Sequence, residues 1–184
     1  MFRRRFSQRV AQNMLTPAQN AALKQAIQLT ADRKPGEAAP IFARLAQETG
    51  AAKHPRVSAN LHAQAAHAYA DSQNEAQALI HARSALALFI QFRMIGRTPR
   101  FYSNITRKLR AQGMGNAADE LQKEFSGQPG IFYVTQPATP DPTRGRLPPA
   151  CTQCGAPLRS NELEWIDDHT VECDYCGALI QTQA

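Results

Sequence analysis

All four cysteines of this 184-residue chain fall after Ala150, as two pairs of one form. They read Cys151-Thr152-Gln153-Cys154-Gly155 and Cys173-Asp174-Tyr175-Cys176-Gly177, with residues 155–172 between the pairs. A tetrahedron of thiolates needs four sulfurs about 2.3 Å from one ion, and C-x2-C lets two of them bind from one tight turn. The glycine after each second cysteine lets that turn close at positive φ. Two such turns make a four-cysteine site at Cys151, Cys154, Cys173 and Cys176. Zinc, an iron in the same geometry and a pair of disulfides remain open on spacing alone. A redox C-x2-C needs a βαβ context, which the flanking sequence lacks. Disulfides suit an exported chain, and Met1-Phe2-Arg3-Arg4-Arg5-Phe6 is basic without the apolar core of a signal peptide. The expectation is therefore a reducing compartment, the cytoplasm, and a metal.

Between the pairs, Leu163-Glu164-Trp165-Ile166 and Thr170-Val171-Glu172-Cys173 read as short strands, with Asp167-Asp168-His169 as their turn. Ala178-Leu179-Ile180 adds a third. With its two C-x2-C-G turns, the segment from Ala150 to the end resembles the zinc-ribbon family. The resemblance implies a β-hairpin unit holding structural Zn2+, since four protein ligands leave no open position for catalysis. Asp174, Tyr175 and His169 lie near the ligands and read as surface packing.

Ahead of this segment the chain is helical in pattern. Thr16-Pro17 gives an N-cap and a first-turn proline for a helix reaching towards Arg33. Pro35-Gly36 breaks it. Helices follow from about Glu37 to Thr49, Pro55 to Asp71, Glu75 to Ile95, Thr98-Pro99 to Gln112, and Asn116 to Phe125. A weak repeat of about 40 residues links Glu37-Ala38-x3-Phe42, Glu75-x2-Ala78-x3-Ala82 and Ala117-x3-Leu121. Small residues there let the helices of a hairpin approach closely. Ala66-x2-Tyr69, Ala78-Leu79 and Ala85-Leu86 resemble the small–aromatic–small pattern of a tetratricopeptide (TPR) repeat. The spacing is longer than that of a TPR, and Gln73 stands where its turn glycine belongs. The resemblance implies peptide or protein binding on a concave face; a plain helical bundle is the alternative.

The expected fold is mainly α: antiparallel TPR-like helical hairpins with a small C-terminal β zinc ribbon. The expected division is a basic N-terminal arm (1–15), a helical domain (16–126), a proline-rich linker (127–149) and the ribbon (150–184). Phe2, Phe6 and Val10 of the arm recur at helical spacing beside Arg5 and Arg9. A frayed, solvated helix is one reading of them; a contact with nucleic acid or an anionic membrane is the other. The linker carries six prolines, but Ile131, Phe132, Tyr133 and Val134 form an apolar run inside it. They dock back on the helices or bind a partner.

Charge is uneven. Residues 1–130 carry 18 basic and 8 acidic side chains, residues 131–184 carry 3 and 7. From Ala76 to Ala118 there is no Asp or Glu, while Arg83, Arg93, Arg97, Arg100, Arg107, Lys108 and Arg110 are interleaved with Phe89, Phe92, Phe101 and Tyr102. Such a surface suits phosphates and stacked bases, an acidic protein, or the acidic ribbon of the same chain. A solvated basic face over core aromatics is equally consistent.

No phosphate loop, nucleophile elbow, H-E-x-x-H or dinucleotide fingerprint occurs, and His62 and His81 have no carboxylate at ligand spacing. The longest apolar run, Ala85 to Ile90, is too short to span a bilayer. The expected function is that of a non-catalytic protein–protein interaction adaptor with a structural zinc ribbon. A nucleic-acid-associated factor of transcription or translation is the alternative. An accessory or ligase-like subunit of a protein-modification system ranks third, since the C-x-H core of a RING is missing.

Overall fold

The computed structural model describes residues 15–128, 131, 145–159 and 163–183. Six helices come first: α1 (Pro17–Ala31), α2 (Pro35–Ala51), α3 (Pro55–Asp71), α4 (Glu75–Gln91), α5 (Arg97–Ala111) and α6 (Gly115–Phe125). Three short strands follow: β1 (Glu164–Asp167), β2 (Thr170–Glu172) and β3 (Leu179–Gln181), in one antiparallel sheet of order β1-β2-β3. The mainly α fold with a small C-terminal β unit is thus observed. The arm lies outside the described residues, as do residues 129–130 and 132–144 of the linker.

The first five helices end in the same turn. One residue of it is left-handed every time: Arg33 (φ 59°), Lys53 (63°), Gln73 (60°), Arg93 (50°) and Gly113 (80°). These positions are evenly spaced along the chain. The closing hydrogen bonds repeat with them: Lys34 N–H to Leu29 C=O, His54 to Thr49, Asn74 to Tyr69, Met94 to Phe89 and Met114 to Leu109, all 2.8–2.9 Å. The left-handed residue bonds one turn inside this, as Arg33 N–H to Thr30 C=O (3.2 Å) does. Both bonds together define the Schellman closure, which satisfies carbonyls that a helix end leaves open. The longer repeat legible in the sequence is two such units.

This turn accounts for the boundaries that sequence signals misplace. Helix α4 ends at Gln91, not Ile95, because Arg93 turns left-handed before Gly96 is reached. Thr98-Pro99 does not cap α5. The helix starts one residue earlier at Arg97, and buried Thr98 bonds back to Met94 C=O (2.9 Å). Pro35 opens α2 rather than breaking the chain, and Gly115 rather than Asn116 opens α6. At the front, Thr16 caps α1 as expected, in a reciprocal box with Gln19.

Close packing rests on alanine. In α3, Ala59, Ala63, Ala65, Ala66, Ala68 and Ala70 are all buried between α2 and α4. One apolar core joins α3 to α4–α6 through Leu86, Phe89, Ile105, Leu109 and Leu121, and Ile131 seals it. Of the expected docking run, Ile131 therefore packs back on the helices; Phe132, Tyr133 and Val134 lie outside the described residues. A second core joins α1–α3 to the strands, with Leu23, Phe42, Leu45, Val57 and Leu61 clustered with Val171, Ile180 and the cysteines.

Candidate metal centre

Two loops of the C-terminal unit have one geometry. In the first, Gly155 (φ 76°) donates to Cys151 C=O (2.8 Å) and Cys151 N–H donates to Ala156 C=O (2.8 Å). In the second, Gly177 (φ 73°) donates to Cys173 C=O (3.0 Å) and Cys173 N–H donates to Ala178 C=O (2.9 Å). The pairing continues outwards, Ala150 opposite Pro157 and Glu172 opposite Leu179. The two loops thus share one hydrogen-bond pattern and one left-handed glycine. The alanine after each glycine belongs to the motif, a point the C-x2-C-G reading left out.

The four Sγ atoms all lie within 4.8 Å of one another. Cys151 Sγ to Cys176 Sγ is 3.7 Å and Cys154 Sγ to Cys173 Sγ is 3.8 Å. A tetrahedron with bonds of about 2.3 Å has edges of about 3.8 Å, so the residues fit a thiolate-bound ion. They do not fit disulfides, whose sulfurs stand about 2.05 Å apart, and all four cysteines are free. Cysteine burial is nearly complete, 5% exposed at most. Hydrogen bonds from the other three thiols pull the Cys151 thiol far down. Those same bonds, with burial, push Cys154, Cys173 and Cys176 up. Four thiols this close share protons unless a cation replaces them. His169 takes no part: it is exposed, and its N–H bonds to Asp167 Oδ1 (2.9 Å).

The helices hold this unit through polar groups as well as the shared core. Arg97, 6% exposed at the start of α5, donates to Asn60 Oδ1 and to Glu172 C=O (3.2 Å). Its guanidinium also pairs with Asp174 (2.8 Å) and stands 3.8 Å from the Glu172 carboxylate. Arg56 meets Glu172 at 3.4 Å. Tyr175, inside the second cysteine loop, packs against Phe42 with ring centroids 6.4 Å apart. Asp174 and Tyr175 thus contact the helices.

The acid-free stretch finds its carboxylates elsewhere in the chain. Arg83 bonds Glu120 (2.9 Å) and Glu124 (2.7 Å), Lys108 bonds Asp71 (2.7 Å), and Arg110 bonds Asp119 (2.9 Å) and Gln122 (2.8 Å). Arg107 bonds Asn104 (3.1 Å) and is exposed, and Arg93 is exposed at its turn. Arg100 lines a cavity beside the C-terminal unit.

One polar pair was not legible in the sequence. His62 Nδ1 and His81 Nδ1 lie 2.8 Å apart between α3 and α4, with Tyr69 stacked on His81. Burial and the His81 ring bring His62 down to about 4, and burial lowers His81. The spacing that pairs them runs across a hairpin, not along one helix.

No helix among the described residues is long and apolar enough to cross a membrane. No family model, no curated protein and no solved structure matches this chain, so what it does has to be argued from these side chains.

Proposed function

We propose that this chain is a non-catalytic protein-interaction adaptor whose C-terminal unit is folded around a structural zinc ion. The supporting observation is the enclosure of the cysteine site. Four buried thiols at tetrahedral spacing leave no coordination position for water or substrate, and an open position is what catalytic zinc requires. Zinc would hold Cys151, Cys154, Cys173 and Cys176 as thiolates and fix the two loops on each other. Beside it stands a stack of helical hairpins, the architecture that the TPR resemblance connects with peptide and protein binding. Much of the basic stretch is engaged within the molecule, which favours a protein partner over nucleic acid.

Two measurements test this. Metal analysis of the purified chain should give one zinc per chain and no visible absorption; an iron site would be coloured. Capture of partners from the native host, with and without nuclease, should retain the same proteins. Loss of all partners on nuclease treatment, with co-purified RNA or DNA and steep salt dependence, would overturn the adaptor reading.

A further inference from the structure

The two cysteine loops share a backbone pattern but differ in what holds them. Thr152 and Gln153 of the first loop are exposed, and among the described residues no hydrogen bond or ion pair ties either to a helix. The second loop is gripped from the helical side. Tyr175 packs against Phe42 of α2, and Arg97 reaches the loop from the start of α5.

The Arg97 guanidinium divides its donors between helix and loop. Nη1 donates to Asn60 Oδ1 on α3. Nη2 carries two hydrogens and has two acceptors: Glu172 C=O at 3.2 Å and Asp174 Oδ1 at 2.8 Å. Glu172 is the residue before Cys173, and Asp174 is the residue after it. One nitrogen therefore fixes the backbone ahead of this cysteine and the side chain behind it. Arg56 of α3 holds the Glu172 carboxylate as well, at 3.4 Å. A cation at this place is otherwise unfavourable. Arg97 is buried, and it stands at the positive end of α5. What answers it is the loop that carries Cys173 and Cys176.

We infer that Arg97 is the positioning residue of the metal centre. It presents the Cys173 sulfur, so the helical array sets how tightly, and for how long, the site holds its ion. This rests on the zinc reading of the four cysteines. Groups that orient a ligand from outside the coordination shell typically govern about 10–100-fold in metal affinity. Linkage makes the effect reciprocal: the bound ion tightens the contact of α3 with α5 that Asn60 and Arg97 make.

The test uses the full chain loaded with zinc, and with cobalt(II) for its spectrum. Zinc affinity and release rate are read by competition with a chromophoric chelator. Arg97→Gln should lose at least tenfold in affinity, release zinc faster and shift the cobalt–thiolate absorption bands. Arg97→Lys keeps the charge beside Asp174 without the fork, and should recover part of the loss. Leu109→Ala is the control for stability alone. It weakens the core of α5, which holds nothing from the C-terminal unit, so it should lower the melting midpoint and leave affinity and spectrum in place. Should Arg97→Gln fail to fold, Asp174→Asn removes one of the two ties and should move both readouts the same way by less. Unchanged affinity and spectrum in whichever of these variants fold would overturn the inference. So would an equal loss in Leu109→Ala, which would make Arg97 a residue of stability only. A wild-type chain that takes up neither zinc nor cobalt overturns the zinc reading itself, and the inference with it.

Discussion

Arg97 is the residue on which the two parts of the molecule meet. It is buried, and it answers the buried carboxylate of Glu172 and the half-buried carboxylate of Asp174. Removing one member of a buried ion network leaves the rest uncompensated, a loss of about 3–5 kcal/mol. Arg97→Leu should lower the midpoint of chemical unfolding accordingly. Adding Asp174→Asn should recover part of the loss, which missing packing alone would not allow. The His62–His81 pair makes a different prediction. With both rings neutral, one Nδ1–H donates to the other Nδ1; a further proton would set two N–H groups face to face. The folded pKa of His62 lies at about 4, below the unfolded value of about 6.5. Below 6.5 the unfolded chain binds a proton that the folded chain refuses, so stability present above that pH is lost as pH falls towards 4. His62→Gln removes this contribution. The difference in stability between wild type and variant should shrink with acidification, while metal release, common to both, cancels. A constant difference would show that the pair does not titrate with folding.

At the scale of the element, the left-handed turn sets the length of each unit. Four of its five occurrences use a residue with a Cβ, at Arg33, Lys53, Gln73 and Arg93. Left-handed backbone costs such residues about 1–2 kcal/mol, and glycine is largely spared. Lys53→Gly and Gln73→Gly should each stabilise the fold by about 0.5–1 kcal/mol after allowing for glycine's greater freedom when unfolded. In a chain of this size that is a rise in melting temperature of about 1–4 °C. No rise at either site would mean that the turn is relaxed in solution. The same turn explains which boundaries were legible. Thr16-Pro17 and Pro55 announce their helices because capping and first-turn proline act through neighbours in sequence. The end of α4 does not announce itself. Arg93 takes a conformation that its own preferences disfavour, imposed by packing of the hairpin. At the cysteines the pattern is local, so the sulfur cluster and its two loops were readable from four residues and two glycines. What they pack against was not. Asn60, Arg97 and Glu172 are brought together from α3, α5 and β2, and no local spacing encodes that.

For the whole molecule, the division of the core decides what metal removal does. Strands and cysteines share a core with α1–α3, whereas the core of α3–α6 contains nothing from the C-terminal unit. A segment of this size buries too little to fold alone, so its order rests on the proposed ion and on the helical face beneath it. Chelation should therefore act unevenly. Trp165, the chain's one tryptophan, stands in β1 and reports on the strands. Its emission should shift to the red as the site empties. The amides of α1 and α2 should exchange faster, because Phe42 loses Tyr175 and Leu23 and Leu45 lose part of their shared core. The amides of α4 and α6 should keep their protection, and most far-ultraviolet helical signal should remain. Cys151→Ser and Cys176→Ser should reproduce this pattern without chelator, since three thiolates and a hydroxyl hold zinc more weakly than four thiolates. Complete loss of helix in one transition would mean that the ion supports the entire molecule. An unmoved Trp165 would mean that the sheet stands on its contacts with the helices and not on the metal.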